Sequence, residues 1–301
     1  PLRMPEGCND SVMIFVYIMC KVFGKHLYKG LIIWLDDLLL YSDSLEGIFA
    51  LLKWVLETAE EAGLKFSIKK CEFFATEIIW CGKKITTQGI EVDPAKLKAL
   101  VDMPLPGTAA ELMQFLYGAG WLRTALPEFA KISGLMAEWL GSILANGKRT
   151  KRRAQSIKLA WNDQLEDCFK KTKELLMRAV TQAHPNPNAD MVLFGDASER
   201  YWGSLLGQIH NYDHNLPIEE QDIEPLYFLS GVFKANQLGW ATIDKESYAL
   251  VESVDRLRHL VIRHKGFKIF TDHKNLQYIF CPNKSVAIPA QGRLARWALR
   301  L

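Results

Sequence analysis

This chain of 301 residues lacks a marked excess of either charge: 37 Lys and Arg against 34 Asp and Glu leave only +3. That balance argues neither for nor against a polyanionic partner, so the distribution of charge has to decide. The six cysteines, Cys8, Cys20, Cys71, Cys81, Cys168 and Cys281, include no pair at CxxC spacing, which removes the usual zinc and dithiol motifs. With no signal-peptide pattern, the expected setting is reducing and intracellular. The longest apolar run, residues 12–20, is too short for the ~20 residues of a bilayer crossing. No initiator methionine precedes Pro1 and the pattern starts in mid-element, so a piece of a longer product is expected. What remains is an ordinary globular composition, 49% hydrophobic and 24% charged, at a length suited to two domains.

Within that composition, two adjacent aspartates interrupt the apolar run LIIWLDDLLLYS at residues 31–42. Strands deplete Asp, and an unpaired buried carboxylate costs several kcal/mol. The physical reading is a β-hairpin over 27–42 with Asp36 and Asp37 at its tip, presented to a divalent cation such as Mg²⁺, whose hard charge relieves their repulsion. A surface turn that happens to be acidic is the alternative.

Hydrophobic periodicity predicts a helix opened by Ser44, striped by Leu45, Ile48, Phe49, Leu52, Val55, Leu56 and Ala59, and closed at Gly63. Short strands are expected at 64–68, 73–79 and 83–92, the last turning at Gln88 and Gly89. Asp93 and Pro94 start a helix, and further helices cross 108–140 with an interruption at Pro127. Residues 146–158 carry Lys148, Arg149, Lys151, Arg152, Arg153 and Lys158 without an acid. Such a run is a solvated linker or a phosphate-contacting patch. Residues 162–179 form an amphipathic helix on Leu165, Phe169, Leu175 and Leu176. Beyond about 182 come strands at 191–194, 203–209 and 227–230, a helix at 244–261, a strand at 267–271 and a helix at 275–280. Strands followed by helix–strand–helix alternation imply an α+β or mixed-sheet domain.

A second acidic set lies in that domain. VLFGD and KIFTD end two strands in Asp196 and Asp272. The two-residue period puts Asp196 on the face of Phe194 and Val192, and Asp272 on that of Phe270. Glu246 heads the helical stripe Leu250, Val254, Leu257 and Val261, so it faces inward. Each has a bland reading, as a cap or a dipole complement. Three inward carboxylates together instead match what a two-metal centre for phosphodiester hydrolysis asks for.

These residues resemble a family. WLDDLLLYS resembles the Tyr-x-Asp-Asp box of reverse transcriptases, with Trp34 in the tyrosine's place. WCGKKITTQGIEVDPAKLKAL (80–100) resembles the primer grip, and residues 103–135 the thumb. LAWNDQLEDCFKKTKELL (159–176) is similar to the helix tethering an RNase H domain. The GDAS box, FLSGVF, WATIDKESYALVESVDRLRHLV, FTDHKNLQYIF and RLARWALRL complete an RNase H pattern. The whole chain looks like part of a gypsy-type LTR retrotransposon polyprotein.

The resemblance implies four parts: a partial palm with primer grip over 1–102, thumb helices over 103–140, a basic linker and tether helix over 141–181, and a C-terminally truncated RNase H-like domain over 182–301. Asp36 and Asp37 would match palm carboxylates that help bind two Mg²⁺ ions. Trp80, Cys81 and Gly82 would hold the primer end, and Lys148, Arg149, Lys151, Arg152 and Arg153 would contact phosphates. Asp196, Glu246 and Asp272 would match three of four RNase H metal ligands, with Mg²⁺ or Mn²⁺ as cofactor. Gly203 is expected to allow close strand packing after the GDAS turn. The implied partners are an RNA–DNA hybrid or a primer-template, with no membrane, in a cytoplasmic particle or the nucleus.

Departures from the pattern shape the expected activity. The family's third palm carboxylate lies upstream of Pro1, its fourth RNase H carboxylate beyond Leu301, and Val16 follows Phe15 where the family has Phe-Gln. The chain by itself is thus expected not to polymerise DNA, and to hydrolyse hybrid weakly or not at all, with better rescue by Mn²⁺. A decayed or repurposed copy that binds nucleic acid without catalysis is the alternative, and an inert relic the third reading.

Overall fold

The computed structural model describes residues 10–145, 147, 150–280 and 294–298. They belong to two compact units, Pro1–Cys81 and Gly82–Leu301.

In the first unit, α1 (Ser11–Val22) precedes a hairpin of β1 (Leu31–Trp34) and β2 (Asp37–Leu40), then α2 (Leu45–Glu61) and β3 (Ile78–Trp80). The hairpin is tighter than expected. Trp34 pairs with Asp37, so the tip is Leu35 and Asp36, and Asp37 already belongs to the second strand. Leu35 takes a left-handed φ of +57°, where two-residue hairpins favour glycine. Ser44 caps α2, its hydroxyl accepting from the Gly47 N–H at 3.1 Å, as its sequence position predicts.

The buried stripe of α2 differs from the predicted one: Leu51, Val55 and Ala59 are buried, while Leu45, Phe49 and Leu56 are exposed. The core they join, with Met19, Phe23 and Leu31, is narrow enough to cover only that side of the helix. Residues 64–67 are irregular rather than a strand, a 3₁₀ turn follows at Ile68–Lys70, and within 73–79 only the end is extended. The alternation of Leu64, Lys65, Phe66, Ser67 and Ile68 suits a strand but no neighbouring strand pairs with it, and 73–79 lacks strict alternation. Nor is α1 covered all round, since Val12, Met13, Ile14, Tyr17 and Ile18 are exposed.

The second unit begins with the hairpin of β4 (Lys83–Ile85) and β5 (Ile90–Val92). Thr86 shapes its turn, its hydroxyl accepting from the N–H groups of Gln88 and Gly89 at 3.1 and 3.2 Å. A helical layer follows: α3 (Pro94–Val101), α4 (Ala109–Trp121), α5 (Phe129–Ala145), α6 (Lys151–Ser156) and α7 (Asp163–Met177). Thr108 and Glu111 close a capping box on α4. Leu112, Phe115, Leu126, Met136 and Leu176 are buried completely in the shared core. Phe115 and Phe169 pack there with ring centroids 4.6 Å apart.

The basic stretch is not simply a solvated linker. Part of it folds as α6, with Ala154 buried in the helical core, and its end is tied back by the Leu159 N–H to Gly107 carbonyl bond at 3.0 Å.

Four strands then build one sheet in the order β8-β7-β6-β9: β6 (Asp190–Ala197), β7 (Tyr201–Ile209), β8 (Glu224–Val232) and β9 (Lys268–Phe270). β6 pairs antiparallel with β7 and parallel with β9. All are placed as the sequence predicts, the first three longer. After α8 (Ala235–Leu238), the helix expected at 244–261 starts earlier and breaks at Leu257 into α9 (Thr242–Arg256) and α10 (Arg258–Val261). The stripe of Leu250, Val254, Leu257 and Val261 is nevertheless buried throughout. α11 (Lys274–Ile279) and α12 (Leu294–Ala298) complete the described elements.

Gly203 is not the close-packing glycine, since a Cβ there would meet nothing nearer than a carbonyl oxygen at 3.8 Å. Gly195 is: a Cβ on it would lie 2.6 Å from Leu250, where α9 crosses β6. The expectation failed because it attended to the strand neighbour rather than to the helix above.

Candidate active site

In the sheet, Phe194 and Phe270 are direct partners across the parallel β6 and β9 pair, and their rings stack with centroids 5.3 Å apart. Asp196 and Asp272 each follow by two residues, so both carboxylates leave the same end of the sheet. Against the inward placement expected for them, both are exposed, because their strand face opens into a cleft of about 550 Å³ that they line. Carboxyl ends of adjacent parallel strands are where open sheets place sites.

Glu246 arrives from the opposite side, in the second turn of α9, and is only 6% exposed. Burial first, and then the charges of Asp196 and Asp272, push its carboxyl up to about 7, against a smaller opposing pull from the Ala197 backbone N–H. Glu246 therefore feels the charge of both aspartates. Glu246 Oε2 has no hydrogen-bond partner, and the same holds for the buried Nδ1 of His273, next to Asp272. An orphaned carboxylate oxygen, oxygen-only donors and mutual repulsion fit a hard divalent cation. Among the described residues, no three His, Cys, Asp or Glu side chains are gathered closely enough to form a ready-made cage.

The walls of the cleft come from further away in the chain. Helix α5 docks on the sheet: the Ala130 N–H donates to Ser230 Oγ at 3.0 Å, and Arg200 donates to both Glu138 oxygens at 2.9 and 2.8 Å. Gly134 permits this approach, because a Cβ there would lie 2.7 Å from the Tyr201 ring. The docking brings Glu128 and Lys131 into the cleft. Lys131 donates to Glu128 at 2.8 Å. That bond and the Glu128 charge, with a smaller contribution from Asp196, hold its ammonium above the ordinary lysine range. Sequence reading missed both residues, because only tertiary docking relates them to Asp196.

The other predicted positions lie elsewhere. Asp36 and Asp37 are exposed on their hairpin. Trp80 ends β3, and Cys81 and Gly82 both take left-handed φ, +50° and +76°. Lys151 and Arg152 are exposed in the first turn of α6, whereas Arg153 is half-buried and turns its guanidinium to the Leu144 carbonyl at 3.5 Å. Lys148 and Arg149 lie outside the described residues. Cys20, Cys71 and Cys168 are free thiols, and no helix among the described residues is long and apolar enough to cross a membrane.

Comparison with known proteins is consistent with this geometry. Residues 2–99 match the model for reverse transcriptase (RNA-dependent DNA polymerase), and residues 186–301 that for the RNase H-like domain found in reverse transcriptase. The retrovirus-related Pol polyprotein from transposon 297 of Drosophila melanogaster is 29% identical over 300 residues, covering 100% of this chain and 25% of the relative. The Tf2-3 transposon polyprotein of Schizosaccharomyces pombe is 27% identical over 301 residues, covering 100% of this chain and 21% of the relative. The chain thus spans about a quarter of the length of these polyproteins. The fold is that of the foamy viral protease-reverse transcriptase solved with an RNA/DNA hybrid, with a TM-score of 0.74 at 16% identity over 99% of this chain and 37% of that one.

Proposed function

Given that this chain carries a reverse transcriptase segment followed by an RNase H-like domain of the retrotransposon Pol type, we propose that its own chemistry is hydrolysis of the RNA strand of an RNA–DNA hybrid. The observation that carries this reading is Glu246, a buried carboxylate with an orphaned oxygen that feels the charges of Asp196 and Asp272 at the end of a parallel strand pair. Asp196, Glu246 and Asp272 would hold a divalent ion, Mg²⁺ or Mn²⁺, which supplies charge to activate water and to stabilise the departing 3′ oxygen.

The chain's own residues prepare that site. The stacked Phe194 and Phe270 rings fix the two strand ends, and Gly195 lets α9 approach closely enough to deliver Glu246. Between pH 4.5 and about 7 the Glu246 carboxyl holds a proton in the cation-free chain, so cation and proton compete and activity should rise towards alkaline pH. The hairpin of Asp36 and Asp37 belongs, on the same reading, to the polymerase half of a longer product. There the pair would serve nucleotidyl transfer together with Trp80, Cys81 and Gly82, and Lys148, Arg149, Lys151 and Arg152 would contact backbone phosphates.

The test is cleavage of an end-labelled RNA–DNA hybrid in Mg²⁺ or Mn²⁺. The wild-type chain should cleave, weakly and better in Mn²⁺ than in Mg²⁺, and Asp196→Asn should lose roughly a hundredfold or more, the scale of removing a preorganised charge-stabilising group. Equal cleavage by both proteins would overturn the assignment. Salt-dependent hybrid binding without cleavage would favour a non-catalytic binding role instead.

A further inference from the structure

The cleft beside Asp196 and Asp272 has a charge problem for a polyanionic substrate. Its other charged walls are Glu128 and Glu219, and Lys131 is the sole cation among the described residues that line it. Phosphodiester backbones are held mainly by Lys and Arg. We infer that Lys131 seats a backbone phosphate of the hybrid next to the cut, a contact supplied by the helix that precedes the RNase H-like domain. This inference rests on the function proposed above.

Three features support it. Lys131 stands in the first turn of α5, which is fixed to the sheet through Ser230, Arg200 and the Gly134–Tyr201 contact, so its reach is set by a rigid mount. Its side chain is 56% exposed, and an ammonium has three donors, of which Glu128 uses one. Glu128 itself lies just outside the helix with a left-handed φ of +53°. Both side chains line the cleft, and the charge of Asp196 reaches the lysine ammonium there. A plain surface ion pair is worth little and would not require the lysine to face the acids.

The experiment measures anisotropy of a labelled RNA–DNA hybrid across a salt series, with the wild type, Lys131→Ala, Lys131→Arg and Glu128→Gln. Lys131→Ala should weaken binding roughly three- to tenfold and lower the salt slope by about one. Lys131→Arg should restore both. Glu128→Gln, which removes a competing negative charge, should bind as tightly as the wild type or more tightly. In cleavage, Lys131→Ala should raise KM and leave kcat within about twofold. Wild-type affinity and slope in Lys131→Ala would overturn the inference alone. So would equal weakening by Glu128→Gln, which would mark the pair as structural. A wild-type chain that binds no hybrid would overturn the proposed function, and this inference with it.

Discussion

The chain's two acidic constellations teach opposite lessons about how a fold treats a carboxylate. Asp36 and Asp37 sit on a two-stranded hairpin, both exposed, and water solvates them whatever else is near. Glu246 is buried between a helix and a four-stranded sheet, and its carboxyl is pushed up to about 7. The difference lies in depth. The first unit gathers its core on Met19, Phe23, Leu31, Leu51, Val55 and Ala59 and leaves one side of α1 bare. The second has a helical core and a sheet-and-helix core, thick enough to exclude water from one acid while two others act on it through their charge.

That contrast can be broken at its foundation first. Phe115 is fully buried at the centre of the helical core, and Phe115→Ala should cost about 3–5 kcal/mol in denaturant unfolding. A cost near zero would mean that this core is not packed as described.

The next largest effect concerns Glu246 and pH. Its folded carboxyl binds a proton more tightly than the unfolded chain's ordinary carboxyl. The stability this gives is complete below about 4.5 and is lost as pH rises through about 7. Without divalent cation, Glu246→Gln should therefore be more stable than the wild type at pH 8, by up to about 3 kcal/mol, and equal to it near pH 4.5. Addition of Mg²⁺ at pH 8 should raise the melting temperature of the wild type and not of the variant. Parallel melting curves across the whole pH range would contradict this.

A smaller effect tests the delivery of that carboxylate. Gly195→Ala puts a methyl group against Leu250 and should cost about 1–3 kcal/mol, whereas Gly203→Ala, whose methyl would meet only the Leu229 carbonyl oxygen at 3.8 Å, should cost less. Unfolding titrations of the two variants check the order. The smallest effect belongs to the exposed pair, where Asp36→Asn should change stability by no more than about 0.5 kcal/mol at either pH 5 or pH 8.

Where local chemistry decided structure, the sequence was readable. Ser44 announced a cap, Asp93-Pro94 a helix start, and the Asp-Asp run a hairpin. Glu246 at the head of an apolar stripe signalled its own burial. Misreadings came where tertiary packing chose between locally equal options. Leu45, Phe49 and Leu56 share a helical period with the true core positions of α2, and only the hairpin and α1 determine which arc is covered. Residues 64–67 alternate apolar and polar as a strand would, but find no strand neighbour. Lys131 carries no motif at all, since its relation to Asp196 exists only once α5 has docked on the sheet.

The central claim, that Asp196, Glu246 and Asp272 act as one electrostatically coupled set, has a direct test. Carboxyl-carbon NMR of the cation-free chain would follow Glu246 through a pH titration. The account predicts a midpoint near 7 in the wild type, falling in Asp196→Asn as one of the repelling charges is removed. A midpoint at the ordinary 4.5, unmoved by that substitution, would contradict it.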